Sequence, residues 1–182
     1  MPKYTAFAGA TAFGLASWYN NHRFCGRCGQ PMQHSATERM LQCPACSNSE
    51  YPKISPAVIV AVTDGDKLLL TKYANRPYTN YALIAGFAEI GETIEQTVHR
   101  EVMEEAGVKV KNLRFYKSQP WGFTDCLLMG FFAELDGDAT ITMDTEELSV
   151  AEWVTRKDMQ PGNAALSLTG EMIEYFRNGL PI

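Results

Sequence analysis

The 182-residue chain has no apolar run approaching 18 residues, so the sequence predicts no membrane-spanning helix. It has no internal repeat and no low-complexity segment, which removes solenoids and long disordered tails from consideration. Basic residues are in the minority: 16 Lys and Arg against 21 Asp and Glu give a net charge of −5, which argues against a general nucleic-acid binder. An acidic protein can still take phosphates, because a bound metal reverses the local sign. The first 18 residues are small and apolar enough to pass for a weak signal peptide. Their only early positive charge is Lys3 and a thiolate metal site follows, so a short helix over 5–19 is expected instead, with the cytoplasm as the default location. With 46% apolar content the chain suffices for one ordinary domain plus a small module.

Cysteine is sparse, yet four of the five are paired. Cys25-Gly26-Arg27-Cys28 and Cys43-Pro44-Ala45-Cys46 are two C-x-x-C knuckles fourteen residues apart. Four thiolates so spaced close a tetrahedral Zn²⁺ site, structural because no coordination position stays open. A hairpin near Met40-Leu41-Gln42 would complete a zinc ribbon. Disulfides or a redox pair are the rival readings, and both fit a reducing compartment poorly. Cys126 is left over beside an apolar run, where core or pocket wall is the ordinary role.

The acids concentrate in Gly86 to Val108, GFAEIGETIEQTVHREVMEEAGV. Thr93 and Gln96 form a capping-box pattern and Gly107 stands where a left-handed residue ends a helix, so a helix over 94–106 is expected. Ile94, Val98, Val102 and, at the margin, Met103 make its apolar stripe, leaving the acids elsewhere. Glu101, Glu104 and Glu105 share one turn and repel unless something cationic joins them. Oxygen ligands of this kind suit Mg²⁺ or Mn²⁺, while a solvated acidic face is the plain alternative; spacing alone leaves both open.

The remaining chain reads as a linker at 51–56, strands at 57–63 and 67–72 around an Asp64-Gly65 turn, a short strand at 81–85, and strands at 109–117, 127–135 and 151–154. A last helix is expected at 164–177 with Leu166, Met172, Ile173 and Phe176 buried. The segment 118–126, SQPWGFTDC, reads as a loop whose Trp121 and Phe123 suit a nucleobase or simply the core.

The full spacing of 86–108, glycine, five residues, glutamate, seven residues, then Arg-Glu-Val-Met-Glu-Glu-Ala-Gly-Val, resembles the Nudix box. With His22-Arg23-Phe24 before the ribbon and Ser118-Gln119-Pro120-Trp121-Gly122-Phe123 after the box, the chain is similar to the NADH pyrophosphatase subfamily. Its array has prolines where Gly122 and Thr124 stand here and serine where Cys126 stands. Longer members carry a domain before the ribbon, of which 1–20 would be the last helix. The resemblance implies an α+β chain: a Nudix α/β/α sandwich with a mixed sheet at 54–182, preceded by a four-cysteine zinc ribbon at 21–53 (Cys25, Cys28, Cys43, Cys46) and a short helix at 1–20.

It further implies Mg²⁺ or Mn²⁺ held by Glu101, Glu104, Glu105, Glu147 and the carbonyl of Ala85, with Glu146 competing with Glu147 for the downstream place. Arg100 would orient a glutamate and Glu92 would steady the loop. Tyr51, Phe87, Gln119, Trp121, Cys126 and Ala165 would line a dinucleotide pocket. The implied reaction is hydrolysis of NADH or NAD⁺ to the nicotinamide mononucleotide and AMP by a cytoplasmic homodimer that does not enter the membrane. Alternatives are ADP-ribose, FAD or NAD-capped RNA as substrate, with Arg23, Arg27, Arg39 and Lys53 near the ribbon, and a non-catalytic NAD or ADP-ribose sensor.

Overall fold

The computed structural model describes residues 2–77, 79–161 and 167–181. It divides into two units, one of Met1–Ser55 with Pro120–Cys126 and one of Pro56–Gln119 with Leu127–Ile182.

In the first unit, α1 (Lys3–Asn21) extends the expected helix by two residues at each end. Among the described residues no helix is long and apolar enough to cross a membrane. Strands β1 (Gln33–His34), β2 (Leu41–Gln42) and β3 (Ser49–Glu50) form an antiparallel three-stranded sheet, so the expected hairpin lies between the knuckles and gains a third strand. Tyr19 at the end of α1 stacks on His34, ring centres 4.9 Å apart.

The second unit is built on β4 (Ser55–Asp64). Its run of β-branched residues is buried on both faces, as a strand covered by helices on either side must be. Val58, Val60 and Val62 pack with Val98, Val102 and Ala106 of α2 (Ile94–Ala106), whereas Ile59 and Ala61 pack with Leu168, Met172 and Phe176 of α3 (Leu168–Arg177). This is the expected α/β/α sandwich. Around β4 stand β5 (Lys67–Tyr73), β6 (Ile84–Phe87), β7 (Val110–Trp121), β8 (Cys126–Leu135) and β9 (Leu148–Thr155), in the sheet order β7-β8-β4-β5-β9 with β6 paired to β4.

Three expectations are corrected. The strand before the box starts at Ile84 rather than at 81, because its extent is set by antiparallel pairing, Val60 opposite Ile84 through Ala57 opposite Phe87. Residues 118–121 are strand rather than loop. Pro120 is tolerated there because β7 is the sheet edge, where a missing N–H costs no ladder bond. The described part of the last helix begins at Leu168, where Ser167 accepts the Gly170 N–H, and Leu168 joins Met172 and Phe176 in the core; positions 164–166 lie outside the described residues.

Candidate active site and cysteine site

The two knuckles fold alike. The Cys25 N–H donates to Gln30 O and the Cys43 N–H to Asn48 O, each at 2.8 Å, while Cys25 O and Cys43 O accept from Gly29 and Ser47. At these matching positions Gly29 takes φ 75° and Ser47 φ 59°, a left-handed turn that glycine adopts readily and serine seldom. The turns bring Cys25 Sγ to 3.7 Å from Cys46 Sγ and Cys28 Sγ to 3.5 Å from Cys43 Sγ, with all four sulfurs within 4.8 Å of one another and no disulfide. Thiolates around a tetrahedral zinc at about 2.3 Å would stand about 3.8 Å apart, so this set fits the ion. Burial pushes the Cys43 thiol up, but the N–H groups of Cys46 and Ala45 outweigh it and hold the thiol down to about 7.

The acid site starts from α2, which has the expected limits, the Thr93–Gln96 capping box and the left-handed Gly107. Its roll departs from the expected stripe. Met103 is 41% exposed, whereas Glu101 and Glu105 are only 8% and 3% exposed. Turning Val98, Val102 and Ala106 to the sheet lays these two glutamates against β6. The Ala85 N–H donates to Glu105 Oε1 at 3.4 Å. A Cβ on Gly86 would fall 1.9 Å from Glu101 Cδ and within 2.1 Å of both its oxygens, so only glycine lets that carboxylate fold over the strand.

Arg100 ties the acids together. Its Nε and Nη2 donate to Glu92 at 2.6 and 3.0 Å, Nη1 to Glu101 at 2.7 Å and Glu104 at 2.9 Å, and Nη2 to Phe87 O at 2.8 Å. These five bonds use every guanidinium hydrogen, leaving Arg100 to orient carboxylates. Its hydrogen bond, with the Glu89 N–H, holds Glu92 down to about 2. Thr97, buried and unnoticed in the sequence, also places its hydroxyl 3.0 Å from Glu92.

Glu105 has the opposite electrostatics. Burial, with the charges of Glu101 and Glu147, pushes its carboxyl up to about 8 against the Ala85 N–H and the charge of Arg76, and its Oε2 is buried with no partner. Burial also raises Glu101 despite Arg100. Glu147 is brought near because Thr142 N–H and Asp144 N–H cap the carbonyls of Ala106 and Glu105 at the end of α2. Its charge acts on both buried glutamates, while the neighbouring Glu146 donates its N–H to Asp144 Oδ1. Two buried carboxyls with raised pKa values, one of them with an orphaned oxygen, and the exposed Glu104 and Glu147 beside them have the donor chemistry that suits a hard divalent cation. Arg76 lies in the loop after β5, where no periodicity marks a residue in advance.

The six pocket candidates are dispersed between the units. Tyr51, Trp121 and Cys126 belong to the first, Phe87 and Gln119 to the second, and Ala165 lies outside the described residues. Tyr51 is exposed and donates its hydroxyl to Glu38 at 2.8 Å. Trp121 contacts Phe123 edge to face with ring centres 5.4 Å apart. Gln119 Oε1 accepts the Leu168 N–H at the start of α3, 2.7 Å away.

Together, the layered fold and the carboxylates gathered on one of its helices define an α/β/α domain whose helix carries oxygen donors of the kind that suit divalent cations. The NUDIX domain model matches residues 53–176 and the NADH pyrophosphatase zinc ribbon domain model matches residues 20–51. The chain belongs to the NUDIX family. It is similar to the NAD-capped RNA hydrolase NudC of Salmonella typhi, 42% identical over 167 residues covering 90% of this chain and 65% of that protein. The NudC of Salmonella schwarzengrund is 44% identical over 168 residues with the same coverages. The chain thus spans 65% of the length of these curated relatives. Among solved structures, a NUDIX hydrolase from Nitrosomonas europaea superposes with a TM-score of 0.72 at 25% identity, covering 87% of this chain and 94% of that one.

Proposed function

We propose that the protein hydrolyses the diphosphate bond of NADH or NAD⁺, releasing the nicotinamide mononucleotide and AMP. The observation that carries this reading is the buried, partnerless Glu105 Oε2 within an acid cluster on a Nudix box helix. Glu101, Glu104, Glu105, Glu147 and the Ala85 carbonyl would hold Mg²⁺ or Mn²⁺. Bound there, the ions supply charge neutralisation of the diphosphate and a water of lowered pKa. Arg100 keeps Glu101 and Glu104 in place, and Glu105 Oε2 is the atom available to a cation or a proton, Oε1 being turned to the Ala85 N–H. Tyr51, Phe87, Gln119, Trp121, Cys126 and Ala165 would contact the dinucleotide. The same reading includes structural Zn²⁺ at the four cysteines, a homodimer and a cytoplasmic setting, the last in keeping with five free thiols.

The similarity to the NAD-capped RNA hydrolases NudC favours RNA bearing an NAD cap as a second substrate. The test is hydrolysis of NADH, NAD⁺, ADP-ribose, FAD and NAD-capped RNA with Mg²⁺ or Mn²⁺. Glu105→Gln should lower kcat by about a hundredfold or more while the fold and zinc content persist. Activity near wild type in that variant would overturn the assignment.

A further inference from the structure

The tip of the β7–β8 hairpin departs from the proline-bearing array of the NADH pyrophosphatases at Gly122, Thr124 and Cys126. Prolines restrict a turn by fixing φ, so a tip without them needs its restraint from elsewhere. All three departures have a counterpart in the structure. Helix α1 meets the tip backbone to backbone: a Cβ on Gly122 would stand 3.0 Å from Ala10 O and 3.2 Å from Ala10 C. A Cβ on Gly14 would stand 3.1 Å from Gly122 O and 3.4 Å from Asp125 Oδ1. The fit is two-sided: Gly14 leaves room for the Gly122 carbonyl and Gly122 leaves room for the Ala10 carbonyl, and Ala10 and Gly14 lie one turn apart on one face of α1. On another side the Ser55 N–H donates to Asp125 O at 2.7 Å. Within the tip, Cys126 Sγ lies 3.0 Å from Thr124 Oγ1 and donates to Thr124 O at 3.1 Å, so those two departures serve each other.

We infer that α1 is a positioning element for this tip. Gly14 and Gly122 allow α1 to seat on 122–125, and the seat holds Trp121 and the exposed ring of Phe123 for a planar base in place of the array's prolines. The inference rests on the proposal that the tip meets a dinucleotide, and makes α1 part of specificity rather than a spacer. A Cβ at 122, proline's included, would press on the Ala10 carbonyl and ask α1 to give by a few tenths of an ångström.

The test uses full-length, zinc-loaded protein with Gly14→Leu, which fills the seat, and Gly14→Ala as a milder change. Hydrogen exchange is followed in peptides covering 118–126 and, as a reference, 25–46, beside NADH kinetics. Exchange at the tip should quicken about tenfold and KM rise about tenfold in the leucine variant, with kcat within about twofold, because only preorganisation is lost. Gly14→Ala should fall between. Adding Gly122→Pro and Thr124→Pro to Gly14→Leu should restore much of both, a rescue that a merely structural role would not give. Unchanged exchange at the tip, a loss confined to kcat, or opening of 25–46 to the same extent in both glycine variants would each overturn the inference. If wild type fails to hydrolyse NADH while the tip still responds to Gly14→Leu, the seat stands and the proposed reaction falls.

Discussion

The cysteine site and the acid site are assembled by opposite means. Each knuckle is a local turn whose own N–H groups shape it, so the four sulfurs converge at ligand spacing from short stretches of chain. The acids come from one helix and a distant segment, and Arg100 gathers them by pulling on Glu92, Glu101 and Glu104 while Glu105 Oε2 stays buried without a hydrogen-bond partner. Local turns therefore make a site ready for a closed, structural ion. Long-range packing makes one that is electrostatically incomplete, which suits a site where cation, water and substrate share the coordination.

The largest effect should come from the thiols. Cys43→Ser should cost the ribbon its fold, since metal affinity in such small modules is folding free energy, on the order of 10 kcal/mol. Proteolysis should cut within 25–46 while the 56–119 core stays protected, and equal loss of both would show that the units do not fold separately. Arg100→Ala should destabilise by about 3 kcal/mol by leaving half-buried carboxylates uncompensated, measured by urea denaturation. A change below about 1 kcal/mol would mean that water replaces the guanidinium without loss.

A smaller effect should appear with pH. Glu105 is raised in the folded state, so the native protein binds more protons than the unfolded chain between about 4.5 and 8. Without divalent ions, stability should fall as pH rises through that window, by roughly 2 to 4 kcal/mol, and Glu105→Gln should flatten the profile. Mg²⁺ or Mn²⁺ should stabilise increasingly toward pH 8; stability that rises with pH in zinc-loaded protein free of Mg²⁺ and Mn²⁺ would contradict a carboxyl at Glu105 raised by burial. Smallest of all, Met103→Gln on the exposed side of α2 should shift stability by less than about 0.5 kcal/mol in a thermal melt.

What the sequence made legible follows the same division. Helix α2 was expected at its observed limits, with its capping box and Gly107, because caps are local chemistry. The sandwich and the grouped cysteines were legible through specific motifs. The start of β6 was not, because pairing with β4 sets it; nor was the strand at 118–121, because edge position decides whether Pro120 is allowed. The exchange of Met103 for Glu101 and Glu105 as the buried residues depends on the glycine surface of β6, which helical periodicity does not contain. The saturation of Arg100 and the cap made by Gln119 likewise join residues whose meeting only the fold determines.

The alternation along β4 has a practical consequence for mutagenesis. Since Val58, Val60 and Val62 support the helix of the glutamates and Ile59 and Ala61 support the opposite layer, substitutions along this strand should sort by parity of residue number. Truncation at even positions loosens the acid site directly, while truncation at odd positions reaches it only through the strand backbone, so a scan of one strand separates variants that lose activity first from those that lose stability first.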